Sequence, residues 1–204
     1  KIRCFNVYML GAARTSMGCE PVWLGTAEDS AEKICALIQR GLSECDAVIS
    51  TGGVSAGDYD LTPDAMEKAG VELLFRGVDM KPGMACACGV RNGKIVCGLS
   101  GNPASSMTSF YVVAVPALKK MMGYRSPLPR EIQVKLSQDF DKESHSTRFL
   151  RGRLELKDGM AWMTLSKNQG NVVLSSMIGC DMMALIPAGS GPISAGTVLR
   201  GFFL

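Results

Sequence analysis

The sequence predicts an α/β protein in two parts: a three-layer αβα domain with a mostly parallel sheet over residues 1–124, then a small all-β, barrel-like domain over 125–204. Three observations carry this. Helix-spaced and strand-like runs alternate up to about Ser126, which builds a parallel sheet covered on both faces. Two glycine-rich turns each follow a short apolar strand and open a helix. From Arg130 onward a strict two-residue alternation replaces the helical period, with Pro127 and Pro129 bracketing the change.

Taken in order, Asn6 can cap a first helix whose apolar positions Met9, Ala12 and Ala13 share a face, and Gly18 ends it. Glu20 to Leu24 reads as a strand. Thr26 caps the next helix, with Asp29 three residues on; Ala31, Ile34, Cys35 and Ile38 repeat at helical spacing until Gly41. Asp46 to Ser50 is a buried strand, its apolar run Ala47, Val48, Ile49 being too short for a helix. Thr62 and Pro63 open a short helix closing at Gly70, and Val71 to Phe75 is the next strand. Met84–Val90 and Lys94–Cys97 form a hairpin through Asn92 and Gly93. Asn102 caps the longest helix, with Pro103 in its first turn, Met107, Phe110, Tyr111, Ala114, Val115 and Leu118 on one face, and a kink at Pro116. In the second part, strands are expected around Ile132–Leu136, Leu150–Leu156, Trp162–Leu165 and Val198–Leu204, with a turn at Lys157, Asp158, Gly159. Some 75 residues lie near the lower limit of independent stability, so this part should lean on the first domain or on another chain.

Composition excludes several function classes. Over 204 residues the net charge of +3 is too small to argue for nucleic acid or a membrane surface. The longest apolar run, near Phe110 to Leu118, is too short to span a bilayer, and no signal peptide opens the chain, so a cytoplasmic protein is expected. Eight cysteines include no CxxC pair and fit small buried hydrophobes in a reducing compartment. The single histidine, His145, lies in a polar loop, which argues against histidine triads and histidine metal sites.

The chemistry gathers at the two glycine turns. In the run from Asp46 to Asp60, Gly52, Gly53 and Gly57 let backbone N–H groups approach phosphate oxygens, with Ser55 between them. Asp58 and Asp60 put hard oxygen ligands beside that cradle, where a magnesium ion bridging to phosphate would need them. The same residues serve equally as a tight strand-to-helix connection with solvated acids. The second turn, Gly98 to Asn102, enters a helix at the same carboxyl edge of the sheet and adds a second anion-binding end in one crevice.

The motifs NxYML, GCExVxLG, VISTGGVSAGDYD, MKPG, GLSGNPASS and PALKKMMG, then RFLRGRL, QGN, LIPAG and SAGTVLRG, resemble the molybdopterin molybdenumtransferases, MoeA and the gephyrin E domain, in collinear order over nearly the whole chain. The resemblance implies an αβα domain of the molybdopterin-binding type and a C-terminal β-barrel. It also implies magnesium-assisted insertion of molybdate into adenylylated molybdopterin with release of AMP, and a homodimer, with other molybdenum cofactor biosynthesis proteins as possible partners. Carried over by position, Asp60 and Glu20 match the family's active-site acids, and Lys81 the lysine of KPG, followed by Pro82 and Gly83. Gly101, Asn102 and Ser105 match the second glycine turn, and Arg148 and Arg151 the arginine-containing barrel segment. On the residues alone, Glu20 is equally a solvated strand start, and two arginines on a strand are more often surface charges, by about two to one.

The chain also departs from the pattern. Cys4 and Phe5 stand where the family has Asp and Ser or Thr, Met84 and Ala85 replace Lys and Pro after KPG, Ser100 replaces a proline, and Val172 a glycine. The family's opening TGDE strand and two N-terminal domains have no counterpart here, so the chain is expected to be the C-terminal half of a longer protein. A molybdopterin-binding or scaffold fragment with impaired turnover is the alternative reading.

Overall fold

The computed structural model describes residues 4–55 and 60–204. The first part stacks helices on both faces of a four-stranded sheet of order β1-β5-β4-β2, built from β1 (Ala47–Thr51), β2 (Glu72–Arg76), β4 (Ala87–Arg91) and β5 (Lys94–Leu99). On one face α1 (Asn6–Ser16) joins α4 (Pro103–Ser109) and α5 (Val115–Met121), burying Leu10, Met107, Phe110 and Leu118 against Cys88, Cys97 and Leu99. On the other, α2 (Ala31–Glu44) and α3 (Thr62–Lys68) bury Ile38, Ala65 and Met66 against Val48, Ala87 and Val96.

The second part is a barrel of β6 (Glu131–Leu136), β7 (Thr147–Lys157), β8 (Met160–Leu165), β9 (Met182–Ile186) and β10 (Val198–Phe203), closed where β7 also pairs with β9. Its interior holds Val134, Leu136, Leu150, Met163 and Ile186. A two-residue strand from the first part, β3 (Met80–Lys81), adds to β7 in parallel. Met80, Phe149, Met183 and Phe202 form a further core between barrel and helices, so the barrel leans on the first part as its size requires.

Several expectations are corrected. The sheet is less parallel than expected: β1 and β5 are parallel, but β4 pairs antiparallel with both β5 and β2. The Asn92–Gly93 hairpin imposes this, since both residues sit at positive φ (51° and 76°) and fold β4 directly onto β5. Residues 20–24 form no strand but part of an irregular connection, and Ser30, not Thr26, caps α2 by accepting from Lys33 N–H. α2 runs through Gly41 because a Cβ there would meet Leu24 and Val48 at 2.7 and 2.8 Å, so Gly41 serves packing and not termination. Ahead of Pro116 the helix passes through a π-helical turn over Phe110–Ala114, where Val115 N–H donates to Phe110 O. β9 was not anticipated, because MMALI is buried on both faces and shows no alternation.

Gly152, in the middle of β7, sets a stability prediction. A Cβ there would lie 2.4 Å from the Thr164 carbonyl oxygen and 2.8 Å from Met163 Cε. Gly152→Ala is expected to cost about 3 kcal/mol by forcing β7 from β8; an unchanged urea midpoint would contradict the packing.

Candidate functional site

The two glycine turns meet. Because β1 and β5 are neighbours in parallel register, Thr51 against Leu99, the chain leaves both at one rim. Gly52 N–H donates to the Leu99 carbonyl at 2.8 Å, and a Cβ on Gly101 would lie 3.6 Å from Gly52 Cα. Gly52 and Gly53 hold φ of 94° and 66°, which turns the chain sharply after β1. Thr62 closes the turn: its N–H donates to Gly53 O (2.9 Å) and its hydroxyl to Gly52 O (3.0 Å). Half-buried Asp60 is thereby held two residues from this corner. Gly57 and Asp58 lie outside the described residues, and exposed Ser55 marks where the described turn stops.

Asn6, read from sequence as a helix cap, performs another task. It is 4% exposed, and its carboxamide Nδ2 donates to Thr51 Oγ1 at 2.7 Å and to Gly101 O at 2.9 Å. Thr51 Oγ1 in turn donates to Ser100 O at 2.8 Å. No side chain caps α1.

A second group of residues lies across the first turn of α4. The carbonyl of Asn171 accepts from Ala104 N–H (3.1 Å) and Ser105 N–H (3.3 Å), so the barrel's Gln169–Asn171 loop caps the helix. Ser105 is therefore buried with its amide occupied, and Asn102 and Gly101 remain exposed at the rim. Gly83 packs on the next turn, where Ser109 Oγ donates to its carbonyl at 3.2 Å. Pro82, joined to Lys81 by a cis peptide, is buried, while Lys81 is exposed and in register with Arg148 on β7.

The two arginines differ from the surface charges that sequence alone allowed. Arg148 is 8% exposed and internally satisfied: Nε donates to Ser144 Oγ (2.8 Å), Nη2 to Glu143 O (3.0 Å), and the guanidinium lies over Phe140. Arg151 is fully buried, yet only Nη2 has a partner, Gly170 O at 3.2 Å; Nε and Nη1 have none among the described residues. Burial pulls its pKa down to about 10, and the nearby Arg148 charge adds to the fall. It remains a cation at neutral pH, buried with two donors that have no partner among the described residues.

Glu20 is placed apart from both groups. It is exposed on the irregular connection, lining a cavity of about 830 Å³ along the free edge of β1. Gly52 and Gly53 line the same cavity, so it shares a hollow with the first corner. The cysteines are all free, with Cys86, Cys88 and Cys97 buried. Among the described residues no cluster of three or more His, Cys, Asp or Glu could hold a metal, and no helix is long and apolar enough to cross a membrane. Sequence reasoning missed Asn6, Thr51, Thr62 and the role of the Gln169–Asn171 backbone. The available signal was a polar residue, Asn6, opening an otherwise apolar helix.

A glycine-cornered αβα unit joined to a β-barrel that carries two buried arginines defines a class of two-part α/β proteins. Comparison with known proteins makes this specific. Residues 2–120 match the family described as "Probable molybdopterin binding domain", and residues 133–200 the MoeA C-terminal region (domain IV). The chain belongs to the molybdopterin-binding, MoeA-type family. It is 32% identical over 200 residues to a molybdopterin molybdenumtransferase of Staphylococcus epidermidis, covering 98% of this chain and 48% of that protein. It is 34% identical over 198 residues to one of Staphylococcus aureus, covering 96% and 47%. Among solved structures, the molybdopterin biosynthesis MoeA protein of Pyrococcus horikosii superposes with a TM-score of 0.81 at 27% identity, over 100% of this chain and 48% of that one. The chain thus spans about half the length of the curated relatives it matches.

Proposed function

We propose that this chain carries the pterin-nucleotide and oxyanion sites of a molybdenum-inserting transferase, which loads molybdate into adenylylated molybdopterin and releases AMP. The observation that supports this best is the buried, half-satisfied Arg151, which donates to Gly170 O next to the Asn171 carbonyl that caps α4 after the second glycine corner. A substrate with a diphosphate at one end and a molybdate-accepting dithiolene at the other needs two anion sites of that kind.

In this reading the Gly52–Gly53 and Gly101–Asn102 backbone binds the phosphates, with Ser55 and Gly57, which follow in sequence, as further candidates. Lys81 stabilises charge on the phosphoryl group that is cleaved, and Arg151, with Arg148 beside it, holds the incoming oxyanion. Pro82, Gly83 and Ser105 shape the wall between the two ends. Asp60 is the described carboxylate that would hold a magnesium ion, with its sequence neighbour Asp58 as the second candidate and the other positions left to phosphate and water. Such an ion would neutralise phosphate charge during cleavage. Glu20, at the open cavity, contacts the substrate from the far side. A homodimer in the cytoplasm belongs to the same proposal.

The test is AMP release from adenylylated molybdopterin by the purified chain, followed chromatographically with and without molybdate and magnesium. Lys81→Met is expected to slow release about a hundredfold, and Asp60→Ala to remove its magnesium dependence. Release that is unchanged in both variants would overturn the assignment. Pterin binding without AMP formation at any molybdate concentration would instead favour a binding or scaffold role.

A further inference from the structure

The polarity of the two glycine corners is set by an internal network that consumes their carbonyl groups. Gly52 O and Gly53 O accept from Thr62, Ser100 O accepts from Thr51 Oγ1, Gly101 O accepts from Asn6 Nδ2, and Asn102 O accepts from Ser106 N–H. Among the described residues neither Gly53 N–H nor Gly101 N–H has an acceptor. The acceptors of both corners are spent inward while donors remain for a ligand.

Among the described residues Asn6 is the side chain that joins the two corners, through Thr51 at the end of β1 and through the Gly101 carbonyl after β5. Its two amide hydrogens serve these two acceptors, at 2.7 and 2.9 Å, with Ser100 O a longer third contact at 3.5 Å. Because Thr51 Oγ1 accepts from Asn6, its own proton is directed to Ser100 O. The sense of the chain therefore runs one way, from carboxamide to hydroxyl to carbonyl. No other residue type of this size supplies two donors from one uncharged atom.

We infer that Asn6 is a positioning residue of the phosphate cradle: it locks the Ser100 and Gly101 carbonyls away from the ligand and so makes the two corners electropositive. The inference rests on the reading of these corners as a phosphate site and adds the residue that orients them. A carboxylate at position 6 would accept the Thr51 proton, release Ser100 O and repel Gly101 O, reversing the polarity with no change in side-chain size. At so buried a position the carboxyl is raised above its free value of about 3.9, so that acidification to about pH 5 protonates it and restores one donor.

The experiment is calorimetric titration of the chain with inorganic pyrophosphate and magnesium at about pH 8 and about pH 5, each variant being referred to wild type at the same pH. Asn6→Asp is expected to weaken binding about tenfold or more at the higher pH and to recover most of the loss at the lower. Asn6→Ala is expected to lose about tenfold at both. A merely structural role would give Asn6→Asp no recovery on acidification. Should Asn6→Asp fail to fold, Thr51→Val interrupts the same relay and is expected to weaken binding, while Thr51→Ser retains it. Wild type that binds pyrophosphate, with variants binding equally well at both pH values, would overturn the role of Asn6 alone. Wild type that does not bind pyrophosphate would overturn the cradle itself.

Discussion

Arg151→Met is expected to make the protein more stable and to abolish its response to oxyanions. The guanidinium is fully buried with two donors unpartnered, while methionine has a similar reach and no charge to desolvate. Replacing buried ionic groups by apolar ones of similar volume is commonly stabilising by about 1–4 kcal/mol. The same substitution removes the barrel's vacant anion donors. Thermal unfolding with and without molybdate measures both effects. Wild type should gain stability with molybdate through binding to the folded state alone, whereas the variant should start higher and gain nothing. A variant that is less stable and still responds to molybdate would show that Arg151 is a structural cation. A variant that is more stable and unresponsive makes the wild-type residue a cost retained for binding, as strained or unsatisfied groups at functional sites often are.

Phe110→Ala is expected to cost about 3–5 kcal/mol, the range for deleting a fully buried aromatic side chain. Phe110 has no exposed surface, packs between the sheet and α1, and meets Tyr111 edge to face with centroids 5.6 Å apart. It also sits where α4 passes into the π-helical turn, so it anchors the helix whose first turn receives both the second glycine corner and the Asn171 carbonyl. Since total stabilities of domains are about 5–15 kcal/mol, the variant should unfold at much lower urea and bind pyrophosphate more weakly even where folded. A shift of the urea midpoint equivalent to under about 1 kcal/mol would contradict the packing role.

Much of the fold was legible because local chemistry and global topology agree. The short apolar run before Gly52, the Asn92–Gly93 turn, Pro103 at the start of α4 and the alternation from Ile132 to Leu136 each point to the element that forms. Disagreements arise where a residue answers to a distant partner. Asn6 has the local signature of a cap but is drawn inward to Thr51 and Gly101, which are 45 and 95 residues away. Gly41 looks like a helix stop but is required by the closeness of Leu24 and Val48. Glu20 to Leu24 has strand-like residues, yet it lines a cavity along β1 and forms no ladder with that strand. Arg148 and Arg151 carry no sequence mark that separates a surface cation from a buried one.

The sequence by itself determined the two-part architecture, the strands that end in glycine corners and the family to which the chain belongs. These depend on periodicity, turn residues and motif order, which are properties of neighbours along the chain. Only the tertiary structure decided that the corners touch, that Asn6 and Thr51 turn their carbonyls inward, and that Arg151 is buried with donors to spare. Burial and hydrogen-bond satisfaction are set by which surfaces meet after folding, and no local stretch of sequence carries that information.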